Sequence, residues 1–213
     1  MKKNLDTIRT FLADVSELNI EENYRKIYER VPYFRREKAD KLKFQNDKAL
    51  SIGAWYLYIL ALDQCGNPGK HTFNLSHSGR YALCSIGAAS EQVGCDVEMI
   101  GELHEKVAKR FFCPSEYQDI FDTETERKTE RYYRYWVLKE SFMKATRKGM
   151  AMGMDTFEIR FDRESDRPFL YRKPEEYTQP YYFQEYDCEG ARIGVCSTNN
   201  KFAGHIEVLK FLD

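Results

Sequence analysis

The feature that most constrains the fold of this chain is a predicted long helix over residues 125–147. Its segment 136–144, WVLKESFMK, places apolar side chains almost all round the helix, which is typical of a buried helix. Glu140 and Lys144 are one turn apart on the stripe that also carries Trp136. An exposed ion pair between them is the ordinary interpretation. The apolar neighbours instead favour burial, where charges need a partner or a metal ion.

Composition excludes several classes of protein. The 213 residues are 42% hydrophobic and 31% charged, a mixture typical of a soluble globular protein and not of a disordered one. The most apolar run, residues 52–62, is far shorter than the ~20 residues that span a bilayer. The net charge of -1 gives no general attraction to nucleic acid or to an anionic membrane.

The cysteines and the N-terminal residues predict a cytoplasmic protein. The six cysteines form no C-x-x-C pair and lie mostly in apolar segments, which favours buried free thiols over disulfides. Asp6 and Asp14 interrupt any apolar stretch near the N-terminus, so the sequence there does not resemble a secretory signal.

Hydrophobic periodicity predicts an α+β fold. Helical spacing recurs over residues 21–30, 47–62, 102–112 and 115–121, in addition to the long helix. Strand-like runs occur at residues 71–76, 81–87 and 93–99, and several more lie within residues 156–213. This order of elements indicates two α+β lobes that divide near residue 100.

The strand at residues 93–99 carries a pair of carboxylates. Alternation places Asp96 and Glu98 on one face together with Gly94, and apolar side chains on the other face. Two carboxylates on one face can converge on a hard cation such as Mg²⁺. The alternative is the solvated face of an ordinary strand.

A second polar segment, residues 73–79 (FNLSHSG), runs from a predicted strand into a turn. Small hydrogen-bonding residues in such a turn, with His77 among them, can bind a phosphate group. The alternative is an ordinary turn with a hydrogen-bonded histidine. No Asp or Cys is placed to complete a nucleophilic triad, which argues against serine hydrolysis.

Taken in order and spacing, segments 73–79, 94–98 and 136–144 resemble the motifs of the Sfp-type 4′-phosphopantetheinyl transferases. That family reads F-N-(I/L)-S-H-S-G, G-(I/C)-D-(I/V)-E and W-x-x-K-E-(S/A)-x-x-K. The intervening segments 109–112 (KRFF) and 115–117 (SEY) are also similar to it. The resemblance covers roughly residues 30 to 160 and is weak elsewhere.

The resemblance implies an enzyme that moves the phosphopantetheine arm of coenzyme A onto a serine of an acyl or peptidyl carrier protein. The reaction releases 3′,5′-ADP and requires Mg²⁺. The matching metal ligands are Asp96, Glu98 and Glu140. Glu140 also matches the base that activates the serine, directly or through a metal-bound water.

Further residues match family contacts to coenzyme A. Lys139 and Lys144 match phosphate-contacting lysines, and Lys144 could also donate a proton to the leaving phosphate. His77 matches a pyrophosphate contact, and Ser76 lies beside it.

Within the basic segment at residues 35–48, residues 35–38 (RREK) resemble the stretch that holds the 3′-phosphate of coenzyme A in this family. Arg35 stands where a lysine is usual, Lys38 follows it, and Lys48 is the nearest cation on the next helix. A family arginine is replaced near Leu50, and the loop at residues 66–70 is shortened, which puts the adenine contacts in question. The alternative is a solvated, charged helix face.

The implied architecture is two similar lobes, residues 1–101 and 102–213, related by a pseudo-twofold, with the active site in the cleft between them. The expected partners are coenzyme A and a carrier protein, with no nucleic acid and no membrane, and the expected state is a monomer. Two rival functions remain: another Mg²⁺-dependent phosphoryl or nucleotidyl hydrolase, and an inactive nucleotide- or carrier-binding module.

Overall fold

The computed structural model describes residues 5–212, apart from the side chain of Met150. It confirms the predicted α+β class. The helices are α1 (Glu21–Tyr28), α2 (Tyr33–Asp40), α3 (Gln45–Gln64), α4 (Glu105–Phe111), α5 (Pro114–Asp122) and α6 (Thr125–Ala145). The strands are β1 (Arg9–Asp14), β2 (His71–Ser78), β3 (Tyr81–Ala88), β4 (Val93–Met99), β5 (Glu158–Phe161), β6 (Pro168–Arg172), β7 (Tyr182–Cys188), β8 (Ala191–Ser197) and β9 (Glu207–Val208).

Contacts divide the chain into two units. The first contains the described parts of Met1–Ser90 and Lys201–Asp213, and the second is Glu91–Asn200. This division differs from the expected one near residue 101 in two respects. Strand β4 belongs to the second unit because it pairs along its whole length with β8. The C-terminal segment returns to the first unit because β9 pairs with β1.

The first unit is a four-stranded sheet, ordered β2-β3-β1-β9, with three helices. Helix α3 contacts all three of the long strands, and α1 and α2 pack against α3 in turn. The apolar residues of α3 recur on every side of the helix, which is typical of a buried helix, and Ile52 and Leu57 are fully buried. At the β9 edge of the sheet, the Arg9 side chain holds β9 to β1 through two hydrogen bonds to the Glu207 carboxylate.

The second unit contains a three-stranded sheet, ordered β4-β8-β7, and the β5-β6 hairpin. Its connectivity repeats that of the first unit: a strand, a helical segment and a hairpin whose second strand pairs with the first strand. In both units the shared central strand, β3 or β8, contains several small residues and is almost entirely buried.

Two glycines let α6 lie directly on this sheet. A Cβ atom added at Gly94 on β4 would lie 2.0 Å from the carbonyl oxygen of Ser141 and 2.3 Å from the backbone nitrogen of Ala145. A Cβ atom at Gly194 on β8 would lie 3.0 Å from the carbonyl of Val137. The helix backbone therefore rests on the strands at two points. At Gly94 it lies closer than any side chain would allow, and at Gly194 a side chain would make a tight contact.

A buried ion pair fixes the other side of α6. The Lys139 ammonium lies 2.8 Å from a Glu116 carboxylate oxygen, and neither side chain is exposed. Lys139 also donates to the carbonyl oxygens of Met154 and Phe157. Glu116 also accepts from the backbone N–H groups of Cys113 and Ile159. Burial raises the pKa of Glu116 and lowers that of Lys139, which means that burial disfavours the charged form of each group. The pair tolerates burial because each charged group is hydrogen-bonded.

Two general expectations can be compared with the described residues. All six cysteines are free, and five of them are buried, as the sequence predicts. Among residues 5–212, the helices lack the combination of length and apolar composition that crossing a membrane requires.

We predict that Lys139→Met will strongly destabilise the protein. The substitution leaves the Glu116 carboxylate buried without its cation, which costs about 3–5 kcal/mol. Chemical denaturation monitored by circular dichroism measures this loss. The control is Lys26→Met, which removes an exposed, solvent-screened ion pair with Glu22 and should change the stability very little. Equal losses in the two variants would contradict the structural role of Lys139.

We also predict that Gly94→Ala will destabilise the protein by about 1–3 kcal/mol or more, because the new methyl group overlaps the α6 backbone. The control is Gly204→Ala, where no atom lies within 4 Å of the added Cβ and the change should stay within about 0.5 kcal/mol. Thermal unfolding of both variants measures the difference. A Gly94→Ala protein as stable as wild type would show that α6 does not need this close approach.

Candidate active site

The candidate site lies where β4 faces α6. The strand alternates as predicted, and the absent Cβ of Gly94 faces the backbone of α6. Asp96, two residues further on, therefore faces the same helix. The Lys144 ammonium donates to its Oδ1 atom over 2.6 Å, and the Asp96 side chain is only 3% exposed. The interpretation of this strand face as solvated is therefore wrong for Asp96.

Glu140 lies one turn before Lys144 and is half-buried. Burial raises the pKa of Glu140, and the negative charge of Asp96 raises it further, while Lys144 opposes the shift. Burial alone would lower the pKa of Lys144, but the charge of Asp96 and its hydrogen bond raise it. The alternative of an exposed pair between Glu140 and Lys144 is wrong, because Lys144 is paired with Asp96 across the strand.

Glu98 completes the polar face of β4 and is half-buried. Its charge contributes, after burial and Tyr133, to raising the pKa of Tyr132 on α6 to about 12. Directly opposite Glu98 on β8 lies Arg192, which pairs with Glu130 and Asp187. The sequence analysis missed Arg192, because only the register between two strands far apart in sequence brings it here.

The three expected metal ligands are not gathered into a cluster. Among residues 5–212, no group of three or more His, Cys, Asp or Glu side chains is arranged to hold a metal ion. The Lys144 ammonium instead takes the place of a cation at Asp96 Oδ1. The donor set nevertheless suits Mg²⁺, since it consists of carboxylate oxygens and the charge of Asp96 raises the pKa of Glu140. A cation between them would relieve that repulsion.

Lys139 does not occupy the expected position. The sequence resemblance makes it a phosphate contact, but its side chain is fully buried and all three N–H donors are directed to Glu116 and two carbonyl oxygens. It therefore faces away from β4, whereas Glu140, the next residue, belongs to the stripe that contains Lys144. In this structure Lys139 is part of the core.

The histidine segment differs in detail from the expected turn. Ser76 and His77 lie on β2 rather than in the turn, opposite Leu83 and Ala82 of β3. Alternation directs them to opposite faces, so Ser76 is buried while His77 is exposed. The turn itself is formed by the next residues, where Gly79 adopts a φ of 58°.

The basic segment forms α2 and the start of α3. Arg35 is half-buried, with its guanidinium carbon 4.1 Å from the centroid of the Trp55 ring. Lys38 is exposed on α2, and Lys48 is half-buried in the first turns of α3. The interpretation as a solvated helix face therefore holds for Lys38 but is wrong for Arg35.

Comparison with known proteins identifies the family. The sequence model of the 4′-phosphopantetheinyl transferase superfamily matches residues 92–196, which lie within the second unit. The 4′-phosphopantetheinyl transferase Sfp of Bacillus subtilis (strain 168) is 31% identical over 145 residues, covering 68% of this chain and 62% of the relative. Another 4′-phosphopantetheinyl transferase of Bacillus subtilis is 34% identical over 152 residues, covering 71% and 63%.

Among solved structures, the holo-[acyl-carrier-protein] synthase of Thermotoga maritima superposes with a TM-score of 0.44 and 20% identity, covering 52% of this chain and 63% of that one. The sequence alignments with the two Bacillus subtilis relatives span a little under two thirds of the length of each relative. On the sequence comparisons, residues 92–196 belong to the 4′-phosphopantetheinyl transferase superfamily.

Proposed function

We propose that this protein transfers the 4′-phosphopantetheine arm of coenzyme A to a serine of an apo acyl or peptidyl carrier protein. The proposal rests on one observation above all: α6 brings Lys144 into contact with Asp96 and holds Glu140 half-buried beside the same strand face. Residues of this kind can both counter the charge of a pyrophosphate and accept a proton. The activity named for the relatives supports the same reaction.

The chemistry joins a serine hydroxyl to a phosphorus atom. The serine Oγ forms a bond to the phosphorus that carries the pantetheine arm, and the bond from that phosphorus to the oxygen of the leaving 3′,5′-ADP breaks. Glu140 accepts the proton of the attacking hydroxyl, since its carboxylate is partly desolvated and therefore a stronger base than a carboxylate in water. The products are the phosphopantetheinylated serine and 3′,5′-ADP.

Lys144 counters the charge of the pyrophosphate with an ammonium held by Asp96. In the first unit, His77 lies on the exposed face of β2, where its ring can donate a hydrogen bond to a phosphate group. Asp96, Glu98 and Glu140 would hold Mg²⁺. When bound, the ion would neutralise charge on the leaving group.

In the first unit, we propose that Arg35, Lys38 and Lys48 bind the 3′-phosphate of coenzyme A. Burial lowers the pKa of Arg35, and in the described residues its guanidinium has no carboxylate at ion-pair distance. A cation desolvated in this way gains from an anionic ligand. A guanidinium also offers two parallel donors to a phosphate, where a lysine offers a point charge.

The function is tested by incubating the protein with coenzyme A, Mg²⁺ and an apo carrier protein. We expect the intact mass of the carrier to rise by one phosphopantetheine arm, and a chelator to abolish the gain. We further expect Glu140→Gln to reduce kcat by about 100-fold or more at an unchanged thermal midpoint, since it removes the base and a metal ligand but keeps the shape.

The matched control is Glu126→Gln, an exposed glutamate on the same helix, which should keep the wild-type rate. Hydrolysis of coenzyme A without a gain in carrier mass would indicate a hydrolase. Nucleotide binding without either reaction would indicate an inactive binding module. Full activity of a folded Glu140→Gln protein would contradict the role of Glu140.

The 3′-phosphate site is tested with 3′-dephospho-coenzyme A, which differs by one phosphate far from the bond that breaks. We expect the wild type to prefer coenzyme A about ten-fold or more, mainly through KM, because charge-assisted hydrogen bonds are worth roughly 1.5–3 kcal/mol each. In Arg35→Ala/Lys38→Ala the preference should shrink, through weaker use of coenzyme A alone. Steady-state kinetics with both donors measures it, and an unchanged preference would rule out the phosphate contact.

A further inference from the structure

The ammonium of Lys144 lies against one of the carboxylates that are expected to bind Mg²⁺. It donates to Asp96 Oδ1 over 2.6 Å, and the Asp96 side chain is only 3% exposed. A carboxylate that is buried to this degree needs a positive charge beside it, because burial disfavours an isolated ion. Lys144 meets that need from within the chain itself.

Two lysines of α6 differ in how firmly they are held. Lys139 is fully buried, and its ammonium contacts Glu116 and two carbonyl oxygens of the core. The Lys144 side chain is 26% exposed. The four-carbon stem of a lysine is flexible, so a partly exposed ammonium can move while its Cα atom stays in the helix. Lys144 can therefore leave Asp96 without disturbing the core, whereas Lys139 cannot leave Glu116 in this way.

The contact between Lys144 and Asp96 is not compatible with a second cation at the same carboxylate. The charge of Asp96 helps to raise the pKa of Glu140, so these two carboxylates repel each other. A divalent ion between them would relieve that repulsion, but it would repel the Lys144 ammonium at short range in a partly desolvated place. An ammonium is satisfied equally well by phosphate oxygens. Lys144 is the cation that is free to move.

We propose that Lys144 is a displaceable cation, which neutralises Asp96 in the metal-free protein and leaves Asp96 Oδ1 for a phosphate oxygen of the donor when Mg²⁺ is bound. The identity of the donor and of the metal ion rests on the proposed function. Because one side chain serves both partners, its release from Asp96 couples the binding of the metal ion to that of the phosphate. Lys144 is thus a positioning residue for the metal site.

The first test measures the affinity of the full-length protein for Mg²⁺ alone, without coenzyme A, by isothermal titration calorimetry. If Lys144 competes for Asp96, then Lys144→Gln should lower the Kd of Mg²⁺ about ten-fold, because no charge-assisted hydrogen bond has to be broken. Lys144→Arg keeps the positive charge, so its Kd should stay within about two-fold of the wild-type value.

The matched control is Lys148→Gln, which removes an exposed lysine four residues further along the chain. It changes the net charge of the protein by the same amount as Lys144→Gln but leaves the contact with Asp96 in place. Its Kd for Mg²⁺ should therefore stay within about two-fold of the wild-type value, since exposed charges are screened by solvent and salt. Circular dichroism checks that each variant is folded.

A second test follows the wild-type protein and does not depend on a variant that loses the charge. Lysine side chains labelled with ¹⁵N give ammonium signals in nuclear magnetic resonance spectra when hydrogen bonds protect them from exchange with water. The signal that is missing in Lys144→Arg belongs to Lys144, and it should shift or vanish saturably as Mg²⁺ is added. The Lys139 signal, from an ammonium bound to Glu116 in the core, should stay in place.

The outcomes separate this inference from the proposed function. A Lys144 signal that stays unchanged at saturating Mg²⁺ would overturn the displacement, and a carrier that still gains the arm would leave the transferase intact. Equal Kd values in wild type and folded Lys144→Gln, or equal tightening in Lys144→Gln and Lys148→Gln, would also overturn it, as would failure of Mg²⁺ to bind any of the proteins. Displacement of Lys144 in a protein that transfers no arm would support the inference and reject the transferase.

Discussion

The second unit depends on the contact between the backbone of α6 and the sheet beneath it. Because Gly94 and Gly194 carry no side chain, the helix rests on β4 and β8 at van der Waals distance from their backbones. Side chains that leave the helix beside this contact have little room to move. The 2.6 Å bond between Lys144 and Asp96 is a consequence of that approach. The absence of side chains at Gly94 and Gly194 thus determines where the charged groups of the candidate site lie.

The rotation of α6 about its own axis is fixed separately, by Lys139. Adjacent residues on a helix project about 100° apart, so Lys139 and Glu140 cannot face the same neighbour. Glu116, bonded to the N-terminal backbone of its own helix α5 and to Ile159, holds the Lys139 ammonium in the core. Glu140 is thereby kept on the stripe that faces β4. A charge pair that contributes little net stability can still select one orientation of the helix, which we regard as its role here.

Periodicity was sufficient to predict the parts of the fold that are regular. The alternation in β4 predicted a shared face for Asp96 and Glu98, and the helical spacing of α3 and α6 predicted burial. The local sequence pattern could not show that Lys139 and Lys144 have different roles, since both lie on one helix. Their ion-pair partners, Glu116 and Asp96, distinguish them. Nor could it find Arg192 opposite Glu98, or the pairing of β9 with β1, because both depend on strand register between distant segments.

The two basic residues of α2 illustrate how environment distinguishes charges that look alike in sequence. Lys38 is exposed, so binding an anion would cost it both hydration and the freedom of a long side chain. Arg35 has already lost much of its hydration, and the Trp55 ring holds its guanidinium in place. The part of the binding cost that comes from ordering the side chain has therefore been met during folding. Of the two, Arg35 should contribute more to anion affinity. The Trp55 ring should contribute indirectly, by holding the guanidinium in place.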